Sequence, residues 1–219
     1  MANARLFLPI HWPTAGASMC GTIIQKSGPM DYMEVLFTGL DPGSRRLSPA
    51  WEESTDSCSR PLAIHRLGDM PAMDRFHWGY APSWWKRRPV ANAPLTTLLR
   101  GSAVWRPLLS QRVLVPADGW YEPAEDEGKP GQYIHASDGK PVYIAAITAW
   151  RPGNAHGKQD GLAIITDGGK YDGQERPVVL PVDAARVWVD PATPIINALG
   201  LACTPWADSS FRWRPAALQ

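Results

Sequence analysis

Met19-Cys20-Gly21 places a cysteine between a methionine and the smallest residue. If translation starts at Met19 and that methionine is removed, Cys20 becomes N-terminal, with an α-amine of pKa about 7.7–8.0 beside a thiol of about 8.5. The amine can condense with an aldehyde to a Schiff base, and the thiol can then close a five-membered thiazolidine. No internal cysteine can do this. Taken alone, Met-Cys fits a buried apolar cysteine equally well. A second candidate, Glu122, ends the run Pro116-Ala117-Asp118-Gly119-Trp120-Tyr121-Glu122. A carboxylate after an apolar strand and beside two rings is partly desolvated, which suits it to general acid–base work. Taken alone it is also an ordinary strand-end Glu. Asn92 could hydrogen-bond a backbone or ring oxygen, or simply occupy a turn. Arg176-Pro177-Val178-Val179-Leu180 by itself is a strand start.

Between Arg75 and Arg112 lie seven cationic residues, Arg75, Lys86, Arg87, Arg88, Arg100, Arg106 and Arg112, with no Asp or Glu. The same window holds Phe76, Trp78, Tyr80, Trp84, Trp85 and Trp105. Cations bind a phosphate backbone by releasing its counterions, and flat rings accept unstacked bases. The combination points to a surface for single-stranded nucleic acid; the alternative is a solvated charged face over a Trp-rich core. Gly79 and Pro82 in Trp78-Gly79-Tyr80-Ala81-Pro82-Ser83-Trp84-Trp85 would hold a rigid turn that presents the rings.

At 219 residues the chain is long enough for a real hydrophobic core. A net charge of +1 excludes a globally basic nucleic-acid binder, so any such affinity comes from a local patch. Cys20, Cys58 and Cys203 are too few and too scattered for a disulfide framework and lack the spacing of a structural zinc site, so no metal or cofactor is expected. A cytoplasmic location follows as the default, with association to the nucleoid when bound to DNA. Residues 1–18 do not fit a secretory signal, because His11, Trp12 and Pro13 interrupt the apolar run. They are expected to be an N-terminal extension, arising from an early start-codon choice or serving as an arm; residues 19–219 form the domain.

The elements that must position these residues are short. β-branched and aromatic runs predict strands at Val113–Val115, Tyr133–His135, Val142–Ala146 and Leu162–Thr166. Ser137-Asp138-Gly139 predicts a hairpin joining the second and third of these. Helices are expected at Met30–Phe37, Pro94–Leu99 and Asp183–Trp188, and the polar, Pro/Gly/Ser-rich residues 41–60 as a long loop. The fold expected is a single β-rich α+β domain.

Seven motifs occur in order: Met-Cys-Gly at 19–21, Trp-Gly-Tyr-x-Pro-x-Trp from Trp78, Asn92-Ala93, Arg106-Pro107-Leu108, Ala-Asp-Gly-Trp-Tyr-Glu ending at Glu122, Asp-Gly-Lys-Pro from Asp138, and Arg-Pro-Val-Val-Leu from Arg176. The set resembles the SOS-response-associated peptidase family of abasic-site-processing proteins, from Met19 to about Trp213. The resemblance implies a β-rich pseudo-barrel with flanking short helices. It implies that an N-terminal cysteine, Cys20, exposed by autoproteolysis, crosslinks covalently to the ring-opened sugar of an abasic site in single-stranded DNA. Asn92 would then position cysteine and sugar, and Glu122 would act as acid and base. Trp84 and Trp85, with Lys86, Arg87 and Arg88, would lie against the DNA, and Arg106 and Arg112 near its phosphates. Protease, hydrolase and lyase activities in the response to DNA damage are part of the same implication.

The chain departs from the family pattern in places. Gly173 stands near the position of a histidine that usually precedes the Arg-Pro pair, Thr22 stands where an arginine is frequent, and Pro94 and Thr96 replace an arginine and a glutamate after Asn92-Ala93. Two function classes therefore stay open: an enzyme-like DNA crosslinker, and a non-catalytic single-stranded DNA-binding relative.

Overall fold

The computed structural model describes residues 22–39, 53–55, 59–123, 131–155, 157–168, 175–204, 206 and 208–216. The strands are β1 (Ile23–Gln25), β2 (Glu53–Thr55), β3 (Leu62–Leu67), β4 (Met70–Arg75), β5 (Asn92–Pro94), β6 (Arg112–Ala117), β7 (Gly119–Glu122), β8 (Gln132–Ala136), β9 (Val142–Thr148), β10 (Leu162–Asp167), β11 (Arg176–Pro177), β12 (Val179–Leu180) and β13 (Phe211–Pro215). Four helices accompany them: α1 (Pro29–Thr38), α2 (Leu95–Leu99), α3 (Val182–Val189) and α4 (Ile195–Ala202).

The smaller sheet has the order β13-β8-β7-β1-β2. The larger runs β11-β10-β9-β6-β3-β4, with β12 beside β9 and β5 parallel to β10. The centre of the larger sheet is β9, all seven of whose residues are buried. Val142, Ile144 and Ala146 enter the core between the two sheets, while Tyr143, Ala145 and Ile147 enter a second core under the helices. Burial on both faces explains why its sequence is a continuous apolar run rather than an alternation. The layers are thus sheet, sheet and helices, the α+β architecture expected.

Helix starts and stops follow local chemistry. Asp31 accepts the Gly28 N–H at 2.9 Å at the start of α1, Pro29 takes its first turn, and Gly39 ends it at φ +71°. Trp188 anchors α3 by donating its indole N–H to Val113 O of β6 at 3.0 Å.

Two expectations need correction. Ser137-Asp138-Gly139 does form a tight turn, with Gly139 at φ +74°, but it does not close a hairpin. β8 pairs with β7 and β13, whereas β9 pairs with β6, β10 and β12, so this turn hands the chain from one sheet to the other. Asp-Gly encodes reversal, not which partner the next strand finds. The tight hairpin is instead β3–β4, turned by Gly68 at φ +60° and paired in register from Leu67↔Met70 to Leu62↔Arg75. The polar 41–60 stretch also contains a strand, β2, paired antiparallel to β1; residues 41–52 and 56–58 of that stretch lie outside the described residues, as does the extension at 1–18.

Candidate active site and nucleic-acid surface

Glu122 closes β7, two residues beyond Trp120, so both side chains project toward the larger sheet. Trp120 donates its indole N–H to Glu122 Oε1 at 3.1 Å, and Arg176 Nε of β11 approaches Oε2 at 3.2 Å. The carboxylate is 7% exposed, and a cation beside it offsets the cost of burying its charge. The pair joins the smaller sheet to the far edge strand of the larger one. Nothing in the Arg176 run alone had marked it as a site residue; the signal was its place among the seven ordered motifs.

Asn92 opens β5, where it lies beside Ile164 of β10. Neighbouring strand positions share a face, and Ile164 belongs to the core between the sheets, whereas Ala93 joins the core under the helices. The Asn92 amide, 4% exposed, therefore faces the inter-sheet layer, as Glu122 does. Trp78 fixes the approach to β5 by donating to Ala91 O at 3.1 Å. Cys20 and Gly173 lie outside the described residues. Just after Cys20, Thr22 O accepts the Tyr121 N–H at 2.8 Å, and Ile23 pairs with Trp120.

The aromatic–basic segment is a closed loop. Tyr80 and Val90 exchange both backbone hydrogen bonds, at 2.9 and 2.8 Å, leaving residues 81–89 as an excursion. Within it Trp84 is 62% exposed and packs edge-on against Trp85, with ring centroids 5.6 Å apart. Trp85 is held by its own N–H to Pro82 O and its indole N–H to Arg88 O. The Arg87 guanidinium lies 5.9 Å from its ring, and Lys86, Arg87 and Arg88 are all exposed. At the root of the loop, Gly79 donates to Leu162 O at 2.9 Å, and Gly161 comes so close that an added Cβ would collide with Gly79 O. Arg106 is exposed and follows Trp105, whose ring lies 5.9 Å from Tyr80 at the same root.

Arg112 is different, and its expected place near phosphates is corrected. It is 7% exposed, and its guanidinium donates to Leu109 O, Trp188 O, Asp190 O and Thr193 O at 2.7–3.1 Å. Those carbonyls include the end of α3 and the turn after it, which a helix cannot satisfy internally. Arg112 holds the fold together rather than facing a ligand. Among the described residues no group of three or more His, Cys, Asp or Glu could hold a metal ion.

The pattern of the family described as "SOS response associated peptidase (SRAP)" matches residues 19–218. The chain belongs to the SRAP family. Over 214 residues this SRAP chain is 29% identical to the abasic site processing protein YedK of Escherichia coli (strain K12), covering 91% of this chain and 92% of the relative. It is 26% identical over 140 residues to the abasic site processing protein YoaM of Bacillus subtilis (strain 168), covering 59% of this chain and 62% of that one. Among solved structures, a phage-related protein from Bordetella bronchiseptica superposes with a TM-score of 0.76 at 38% identity, over 90% of this chain and 94% of the other. A Bacteroides thetaiotaomicron protein, at 17% identity and a TM-score of 0.66, shares the SRAP fold over 91% of this chain and 93% of its own.

Proposed function

We propose that this protein processes abasic sites in single-stranded DNA by forming a thiazolidine crosslink through Cys20. The observation that carries the reading is the hydrogen bond from Tyr121 N–H to Thr22 O, 2.8 Å, beside Glu122. That bond fixes Thr22, two residues after Cys20 in sequence, alongside the strand that ends in the buried carboxylate. The SRAP match begins at Met19, immediately before that cysteine, and both named relatives are abasic site processing proteins.

The chemistry balances without an added reagent. The Cys20 α-amine attacks the aldehyde carbon of the ring-opened sugar, and the carbinolamine loses water to give an imine. Sγ then adds to the imine carbon, and the nitrogen takes up the proton, closing the ring. Net, aldehyde and aminothiol give thiazolidine and one water. Glu122 takes up the proton that the nitrogen sheds on attacking the carbonyl and delivers it to the departing hydroxyl, while Arg176 and Trp120 hold its carboxylate in one orientation. Asn92 orients sugar and amine from the facing strand. Trp84 stacks a flanking base, and Lys86, Arg87, Arg88 and Arg106 hold phosphates. The α-amine is free only when residues 1–19 are absent, through cleavage at the Met19–Cys20 bond or initiation at Met19.

The test is a denaturing gel with protein beginning at Cys20 and an abasic single-stranded oligonucleotide. A shifted, heat-stable band is expected, absent for Cys20→Ala and for the 219-residue form. With Gly173 near the usual histidine position, reversal of the crosslink is expected to be slow. No shifted band from the Cys20-start protein would overturn the reading in favour of a non-catalytic single-stranded DNA binder.

A further inference from the structure

The smaller sheet has an outer face that the site above does not use. Glu122 and Trp120 point inward from β7, so Tyr121 points outward, and its pairing with Tyr133 continues to Arg214 on β13. In the adjacent outward row, His135 pairs with Arg212. Tyr133 and His135 stack, with centroids 5.5 Å apart and planes 24° from parallel, and Tyr121 lies 5.1 Å from Tyr133. The backbone is built to admit this ladder: a Cβ on Gly119 would come within 2.6 Å of the Tyr133 hydroxyl, so only glycine lets that ring lie across β7. Lys26 Nζ sits 5.9 Å from the Tyr133 ring centroid.

Lys26, Arg212 and Arg214 are exposed, and the three rings are half-buried. Asp118, just before β7, accepts from the Lys26 and Ser27 N–H groups and from the Ser27 and Tyr32 hydroxyls. Three cations around a stacked ring ladder complement a polyanion that carries flat bases. The β7–β8 connection contains Glu125, Asp126 and Glu127, and these repel phosphate. The favourable track therefore centres on Tyr133, His135 and Arg212 rather than on that connection.

We propose that this outer face is a second binding surface for single-stranded DNA, in which Tyr133 and His135 stack bases while Lys26, Arg212 and Arg214 hold phosphates. It rests on the reading that single-stranded DNA is the ligand, and extends it: a strand longer than the site can occupy both the Trp84 loop and this face.

The test uses the full chain and intact oligothymidylates of 6 and 20 nucleotides, followed by fluorescence anisotropy across a salt series. These probes carry no abasic site, so a failure of crosslinking leaves this readout untouched. The Arg212→Gln/Arg214→Gln double variant should lose about tenfold more affinity for the 20-mer than for the 6-mer, with the salt slope on the 20-mer lowered by about 1.4, two phosphate contacts at roughly 0.7 each. Tyr133→Leu should show the same selective loss without the change in slope. Should Arg212→Gln/Arg214→Gln, with an unchanged melting temperature, bind the 20-mer as the parent does, the proposal is overturned; the same follows if the parent binds both lengths equally.

Discussion

Arg176 and Glu122 meet 3.2 Å apart although they belong to different sheets, and the carboxylate is the more buried of the two. Removing one partner leaves a desolvated charge, which costs more than the pair itself contributes. Arg176→Met should lower unfolding free energy by about 2 kcal/mol, given the partial exposure of the guanidinium. It should also slow crosslink formation, whereas Arg176→Lys retains part of both. Urea titration and a crosslinking time course read the two effects; a variant unchanged in both would separate the pair from site and fold alike.

Glu122→Gln tests chemistry more directly, because the amide keeps the size and accepts the Trp120 N–H but cannot deliver a proton. Crosslinking should slow by roughly 10²–10⁴-fold. Unaltered rates in quenched time points would move the acid–base role to another group.

Gly161→Ala should dislodge the Trp84 loop, since the new methyl group collides with Gly79 O where the loop leaves the barrel. Single-stranded DNA affinity should fall at least as far as in Trp84→Ala, which loses a stack worth about 1–3 kcal/mol per base. Anisotropy titrations of the two variants give the comparison. Trp84→Ala, at a 62% exposed position, should leave the unfolding midpoint in place.

Arg112→Met is expected to behave in the opposite way. Its four backbone acceptors would lose a charged donor inside the protein, a loss of about 3 kcal/mol in stability. The salt slope of DNA binding should stay as it is, because no phosphate contact is removed. A reduced slope with unchanged stability would return Arg112 to the DNA surface.

Alkaline pH should weaken the fold through two buried tyrosines. Burial, then the Asp118 charge, pushes the Tyr32 phenol far above its ordinary 10.0. Burial likewise raises Tyr143, whose hydroxyl donates to Tyr32 O at 2.8 Å. Both stay neutral in the folded chain while the unfolded chain ionises, so their contribution is complete below pH 10 and declines above it. Each adds up to about 1.4 kcal/mol per pH unit to that decline. Urea midpoints at pH 9 and pH 11 should differ less in Tyr32→Phe than in the parent.

What the sequence disclosed follows from how local each signal is. β6, β9 and β10, together with α1 and α3, were legible because apolar runs and caps act within a few residues. The missing hairpin was not, because Ala136 and Val142 are joined by a real turn and yet separated by sheet membership. Their strands did differ in pattern, with alternation in β8 and a solid apolar run in β9, and that contrast reflects one buried face against two. α4 escaped notice because Gly200 interrupts its apolar pattern, and β2 because its residues are polar. At the site, the place of Glu122 at a strand end could be foreseen, but its ion pair could not, since Arg176 arrives from another sheet. Arg112 was misjudged for a related cause: charge is visible in a sequence, whereas the carbonyls that consume it come from a helix end far along the chain.

The bridge between Tyr80 and Val90 has a consequence for how such proteins diversify. Because both ends of the 81–89 excursion are pinned to each other, the barrel registers its presence but hardly its content. Lengthening a closed loop is inexpensive, about 0.6 kcal/mol for each doubling. Rings, cations or extra residues can thus be exchanged there as a cassette, altering ligand preference while the scaffold keeps its heritage. Beyond the shared Pro82 and Trp84, the segment is a natural place for grafting.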